Sequence, residues 1–294
     1  MRGITSTCLL SLTLLGSKAL FGQDSLSKAR QLYNHTEYKA SLAVVAEIAE
    51  PSGAAYCLAG RNYFMLGEYK KATEAFQKAL ALDPGNSAYA QWLGRSFGRR
   101  AEAASPFSAP KYASQARAYF ERAVALDPHN EEALGDLFDY YLAAPGFLGG
   151  GFDKAEAIAQ RIAEQNPAEG HFAQSRLSEQ RRQFDTAEEQ LRRAMELAPR
   201  QVRRVLDLAR YLAKRGRIQE SEAAFDQAER LAPGSPEVGF ARAGVYVEQK
   251  RNLGRAKVLL VKYLGSHLTA DDPPREQAEK LVQALRLLEE ASGS

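Results

Sequence analysis

One spacing dominates this sequence: a small residue followed twelve positions later by proline, five times over, at Ala72 and Pro84, Ala116 and Pro128, Ala155 and Pro167, Ala187 and Pro199, and Ser221 and Pro233. Four residues into each frame stands Phe76, Phe120, Ala159, Leu191 or Phe225; seven residues in stands Ala79, Ala123, Ile162, Ala194 or Ala228. Offsets of zero, four and seven fall on one face of an α-helix, so each frame predicts a helix with a single apolar stripe. Proline lacks an amide hydrogen and pushes the preceding residue out of the helical region, which stops the helix at the same point in every frame. Asn86 or Ser87, Asn130, and Ser235 followed by Pro236 supply caps for the helices that start next.

Upstream of each frame runs a second helical pattern, clearest in Tyr56, Ala59, Gly60 and Tyr63 and again in Val205, Leu208, Ala209 and Leu212. Gly67 and Gly216 sit where this first helix must end and the chain reverse, a place for positive φ. Each unit therefore reads as a helical hairpin. Small residues at Gly60, Gly94, Ala209, Ala72, Ala116 and Ala79 allow the helix backbones to cross closely. Helices of about a dozen residues are marginal alone, so each hairpin must hide its apolar face against its neighbours in an array.

The stretch from Gly53 to Asn86 resembles the 34-residue tetratricopeptide repeat, with Tyr56, Ala59-Gly60, Tyr63, Gly67, Tyr69, Ala72, Phe76, Ala79 and Pro84 at family positions. Val202–Ser235 is similar, with Ser221 in place of the usual alanine. The resemblance implies an all-α, right-handed α-solenoid over residues 23–270, of about seven units beginning near Gly22, Gly53, Ser87, Glu131, Ala168, Val202 and Pro236. The register between Ala168 and Gln183 stays open. Residues 271–294 read as a capping helix and short tail, running from Asp272-Pro273-Pro274 to about Ala291 with Leu281, Leu285 and Leu288 on one stripe.

Residues 1–22 have the layout of a secretory signal peptide: a positive start at Met1-Arg2, an apolar run from Ile4 to Gly16, then small and polar residues. Cleavage after Ala19 or Gly22 fits, and a buried first helix is the alternative. The run is shorter than the roughly 20 residues a spanning helix needs, so a periplasmic or secreted location without a transmembrane span is expected. Removal of Arg2 and Lys18 takes the formal charge from +3 to +1, which provides no global field to draw nucleic acid. Cys8 would leave with the peptide, and Cys57 alone makes no internal disulfide.

Successive frame prolines lie 44, 39, 32 and 34 residues apart, so the third unit carries ten extra residues and the fourth five. The extra segments fall near 99–111 and 144–151, each between the two helices of its unit, and adjacent units should present them on one edge. Together they resemble a pair in exported bacterial tetratricopeptide proteins, which implies location more than mechanism. Phe107, Phe147 and Leu148 are apolar residues in Pro- and Gly-rich connections, able either to anchor a partner or to fold back on their own helices.

Catalysis finds no foothold in the sequence. Gly149-Gly150-Gly151 lacks the Lys-Ser or Lys-Thr of a phosphate loop. His35, His129, His171 and His267 show no metal-ligand spacing, and Cys57 reads as a small apolar filler. No enzyme activity, metal or cofactor is therefore expected.

In the family, the first helix of each hairpin lines a concave groove, and the resemblance places Arg61, Arg95, Arg176 and Arg210 at one groove position. Arg99, Arg203 and Lys214 fall on neighbouring ones, while Asp139 and Gly244 break the ladder. The lysine and asparagine pattern of the family's carboxylate clamp is absent. Residues 170–217 hold twelve basic and six acidic side chains. This surplus predicts either attraction for an acidic peptide or pairing with Glu179, Glu188, Glu189, Glu196 and Asp207. The leading expectation is a monomeric, non-catalytic protein–protein interaction scaffold of the envelope or secreted space, working through groove and insertions. The alternative is a binder of anionic envelope polymer or peptidoglycan through 170–217.

Overall fold

The computed structural model describes residues 24–269 and 272–293, and the signal-peptide reading of residues 1–22 lies outside them. Among the described residues the regular structure is entirely helical. The chain divides into two compact units, one up to Leu126 and one from Asp127.

The first unit holds α1 (24–34), α2 (Tyr38–Ala46), α3 (Gly53–Met65), α4 (Tyr69–Leu82), α5 (Ser87–Glu102) and α6 (Ala109–Leu126). The second holds α7 (Glu131–Ala143), a 3-10 turn (Gly146–Leu148), α8 (Phe152–Gln165), α9 (Pro167–Gln180), α10 (Phe184–Leu197), α11 (Val202–Lys214), α12 (Ile218–Leu231), α13 (Pro236–Glu248), α14 (Leu253–Gly265) and α15 (Arg275–Gly293). Within each unit, helices pack mainly on their chain neighbours, the pattern of stacked hairpins.

Each frame helix, α4, α6, α8, α10 and α12, ends two residues before its proline, as the loss of donor and the steric push require. Asn86, Asn130 and Asn166 then cap α5, α7 and α9 by accepting from the amides of Tyr89 (3.2 Å), Ala133 (2.9 Å) and Glu169 (3.2 Å). Ser235 differs from expectation: its side chain makes no capping bond, and Pro236 alone opens α13. Pro167 does more than stop a helix. It is the first residue of α9, where its fixed φ and missing donor are tolerated, and this sets the register that the sequence left open.

Hairpin reversal is encoded by conformation more than by residue type. Thr36, Gly67, Arg182, Gly216 and Lys250, each fourteen residues after the start of its unit, all have positive φ, at 61°, 74°, 59°, 74° and 51°. The sequence showed only the two glycines.

The close crossings are real. A Cβ on Gly60 would sit 2.7 Å from the Phe76 ring and one on Gly94 2.6 Å from the Phe120 ring. Gly170 has the same role against Ala163 and went unnoticed in the sequence. Ser221, in place of alanine, donates from Oγ to the Ala209 carbonyl at 2.8 Å, and buried Ser41 does the same to Ala29. In the second unit, Phe225 and Leu206 anchor one buried cluster; Tyr246, Leu260, Tyr263 and Leu285 form another at the C-terminal end. Leu285 of α15 is buried there, with Leu281 and Leu288 packed alongside, so the final helix closes that cluster.

Candidate functional site

The candidate groove arginines divide between the two compact units. In the first unit, α3 carries no acidic residue and α5 only Glu102. Arg61 is clasped between the rings of Tyr33 and Trp92, 4.6 and 5.0 Å from their centroids, and Arg95 lies 4.8 Å from that of Trp92. Arg99 stacks on Tyr69, donates to its hydroxyl at 3.2 Å and pairs with Glu102. Cation–π contact orients a guanidinium without cancelling its charge. The Arg61 Nε is buried without a hydrogen-bond partner, so the aromatic clasp is what holds this side chain.

In the second unit, the inner faces of α9, α11 and α13, with Leu281 of α15, enclose a groove of about 790 Å³. Its cations are matched. Arg176 pairs with Asp139, Lys214 with Glu179, and Arg210 approaches Asp207 at 3.6 Å. Arg203 is exposed on the first turn of α11. Its neighbour Arg204, which sequence reasoning passed over, is 2% exposed, lies 4.7 Å from the Phe172 ring and pairs with Glu169 (2.7 Å) and Asp207 (3.3 Å). Asp207 itself is half-buried, its side chain 10% exposed; desolvation holds its carboxyl above the usual value, outweighing Arg204 and Arg210. Eight of the twelve basic residues in 170–217 are ion-paired, several with carboxylates outside that stretch, such as Asp139, Glu156 and Glu169. A charge count along the chain could not see these partners, because they arrive from neighbouring helices.

The insertions differ from their reading as loops. Most of 99–111 is helix: α5 continues through Glu102 and α6 begins at Ala109, leaving 103–108 as the connection. Arg100, stacked 4.3 Å from the Tyr112 centroid, ties the two extensions together. Phe107 at its tip is 98% exposed.

The second insertion is a tight turn. The amides of Gly149, Gly150 and Gly151 donate to the carbonyls of Gly146, Pro145 and Tyr141, so none is available to cradle a phosphate. Gly149 has φ of 84°, and a Cβ on Gly150 would collide with the Ala144 carbonyl. Tyr140 donates to the Leu148 carbonyl at 2.9 Å; Leu148 is half-buried while Phe147 is 81% exposed. Neither Phe107 nor Phe147 folds back on its helices.

Other chemistry has little to build on. Burial pushes the Cys57 thiol up to about 11, so it is protonated at neutral pH. His171 meets Gln190 at 2.6 Å. Among the described residues no cluster of His, Cys, Asp and Glu could hold a metal, and no helix is long and apolar enough to cross a membrane.

Models of the tetratricopeptide repeat match residues 53–86 and 172–236. No curated protein matches the chain. Among solved structures, a tetratricopeptide repeat protein of Parabacteroides merdae superposes with a TM-score of 0.58 at 14% identity, covering 91% of this chain and 99% of that one. A thermophilic TPR protein of Thermus thermophilus gives 0.54 at 22% identity, over 65% of this chain and 98% of that one. The human IFIT1 dimer with PPP-AAAA gives 0.54 at 19%, over 83% and 55%. At such identities the likeness concerns the fold, and tetratricopeptide folds generally serve as non-catalytic protein–protein interaction scaffolds. With two repeat matches, frame prolines that end helices and glycines that admit neighbouring rings, the chain is a tetratricopeptide repeat protein.

Proposed function

We propose that this chain is an exported, non-catalytic docking scaffold whose partner protein presents acidic groups to the inner face of α3 and α5. The observation that carries the reading is the aromatic clasp on Arg61, whose Nε is buried without a hydrogen-bond partner, on a helix that carries no carboxylate. A guanidinium set in place by rings loses little rotamer freedom when it forks onto a carboxylate. Export rests on the layout of residues 1–22. Phe107 and Phe147, standing out from their connections, add apolar anchors of the kind that dominate interfaces.

Arrays of acidic peptides, read at rising salt, test the inner face. Binding should weaken with salt and fall in Arg95→Ala and Arg61→Gln chains. Binding indifferent to both, or capture of anionic polymer dependent on 170–217 instead, replaces this reading. Crosslinking in the native organism with a Phe107→Ala, Phe147→Ala chain tests the insertions. A variant that melts normally and still captures every wild-type partner removes them from the interface.

A further inference from the structure

The rung contributed by α13 breaks the charge pattern of the groove in a way that points to a specific ligand. On α11 the groove stripe carries Arg210 and, one turn on, Lys214. The same positions 34 residues later hold Gly244 and Glu248. The first change deletes a side chain and the second reverses a charge.

Gly244 is not there for a close crossing. A Cβ built on it would meet nothing nearer than Leu281 Cδ1 at 3.9 Å, unlike Gly60 or Gly94, whose absent Cβ admits a ring. The missing side chain leaves an apolar hollow between Phe240, one turn before, and Leu281 of α15. Phe240 is fixed from behind by the Tyr263 ring at 5.0 Å, so the hollow is preformed. Phe240, Gly244 and Glu248 follow at four-residue steps along one face of α13, which sets apolar wall, hollow and carboxylate in a row.

Electrostatics selects the neighbour of whatever fills the hollow. Each cation lining the groove has its carboxylate: Arg176 has Asp139, Lys214 has Glu179, and Glu169, Arg204, Asp207 and Arg210 alternate in a series of four charges. Among the lining residues, Glu248 is exposed and joins none of these ion pairs, so the groove with its matched partners carries one surplus negative charge.

We infer that the groove of the second unit binds a peptide segment of a partner protein in which a bulky apolar side chain, leucine or phenylalanine, is flanked by lysine or arginine. The apolar side chain enters the hollow at Gly244, and the flanking cation meets Glu248. This builds on the docking-scaffold reading but uses other residues, in the other unit, and the opposite charge.

The test is an array of nine-residue peptides with central Leu, Phe or Ser, flanked by Lys, Glu or Ser, probed with the full chain and followed by fluorescence polarisation of the strongest binders. Leu or Phe beside Lys should dominate. Gly244→Leu should fold as well as the parent, since a Cβ there meets Leu281 Cδ1 only at the ordinary contact distance of 3.9 Å, and should weaken those peptides by at least about tenfold, the equivalent of one buried aliphatic side chain. Glu248→Lys should shift the flank preference from Lys to Glu. Absence of any apolar-basic preference in the parent, or parent-like binding by both variants, overturns the inference. Acidic peptides still captured through Arg61 and Arg95 would then leave the scaffold reading intact, and an array silent throughout removes both.

Discussion

Replacing Gly216 by alanine isolates one physical term, the backbone conformation at a hairpin reversal. Its φ is 74°, and nothing lies within 4 Å of the point a Cβ would occupy, so no steric clash with other residues contributes. Holding an L-residue in the left-handed region costs about 1–2 kcal/mol. Alanine recovers about 0.4–1 kcal/mol of that by restricting the unfolded chain, and the expected net loss is about 1 kcal/mol. Lys250 occupies the equivalent turn with φ of 51° and already bears the strain, so Lys250→Gly should move stability the other way, by up to about 1 kcal/mol. Urea unfolding followed by circular dichroism reads both as opposite shifts in midpoint at unchanged slope, and melting should move by about 2–4 °C per kcal/mol. Hydrogen exchange at α11–α12 and α13–α14 locates each effect if the array unfolds in stages. Two unchanged midpoints, or shifts of the same sign, refute the claim that a shared left-handed residue sets the reversal.

Three further outcomes follow from local geometry. Gly60→Ala places a methyl 2.7 Å from the Phe76 ring and should cost about 1–3 kcal/mol, with partial recovery in a Gly60→Ala, Phe76→Leu double variant measured by thermal melting. Burial alone would raise the Glu222 carboxyl, but hydrogen bonds from Arg242, Arg251 and Tyr246 outweigh it and hold it below its usual 4.5. A depressed folded value means stability present above pH 4.5 and lost as pH falls through the folded value, so Glu222→Gln should cost about 1.5–3 kcal/mol at pH 7 and flatten the acid limb of a stability–pH curve. With its pKa near 11 against an ordinary 9.0, Cys57 should alkylate with iodoacetamide about a hundredfold more slowly in the folded chain than in urea at pH 8; equal rates would show the thiol to be unburied.

Much of the hairpin array was legible because helical periodicity and proline are local properties of the chain. Ala72, Phe76 and Ala79 lie on one face whatever surrounds them, and Pro84 ends that helix by its own covalent structure. Gly67 announced its positive φ for the same reason. Thr36, Arg182 and Lys250 adopt the same conformation with no such signal, since the flanking helices impose it on residues that tolerate it poorly. The proline spacing places an extra segment near 99–111 between two helices, yet Arg99–Glu102 belongs to α5, for prolines further along do not prevent good helix formers from extending the preceding turn.

By itself, then, the order of residues determined the class of fold, the phase of the repeat, and which helix of each hairpin carries the candidate arginines. Tertiary packing decided what those arginines are. Arg61 and Arg95 lie against aromatic rings, Arg176 and Lys214 pair with carboxylates of other helices, and Arg210 with Asp207 one turn before it. Side chains far apart along the chain become neighbours only once the hairpins stack, and Coulomb and cation–π energies depend on that final separation, which no count of charges along the chain contains.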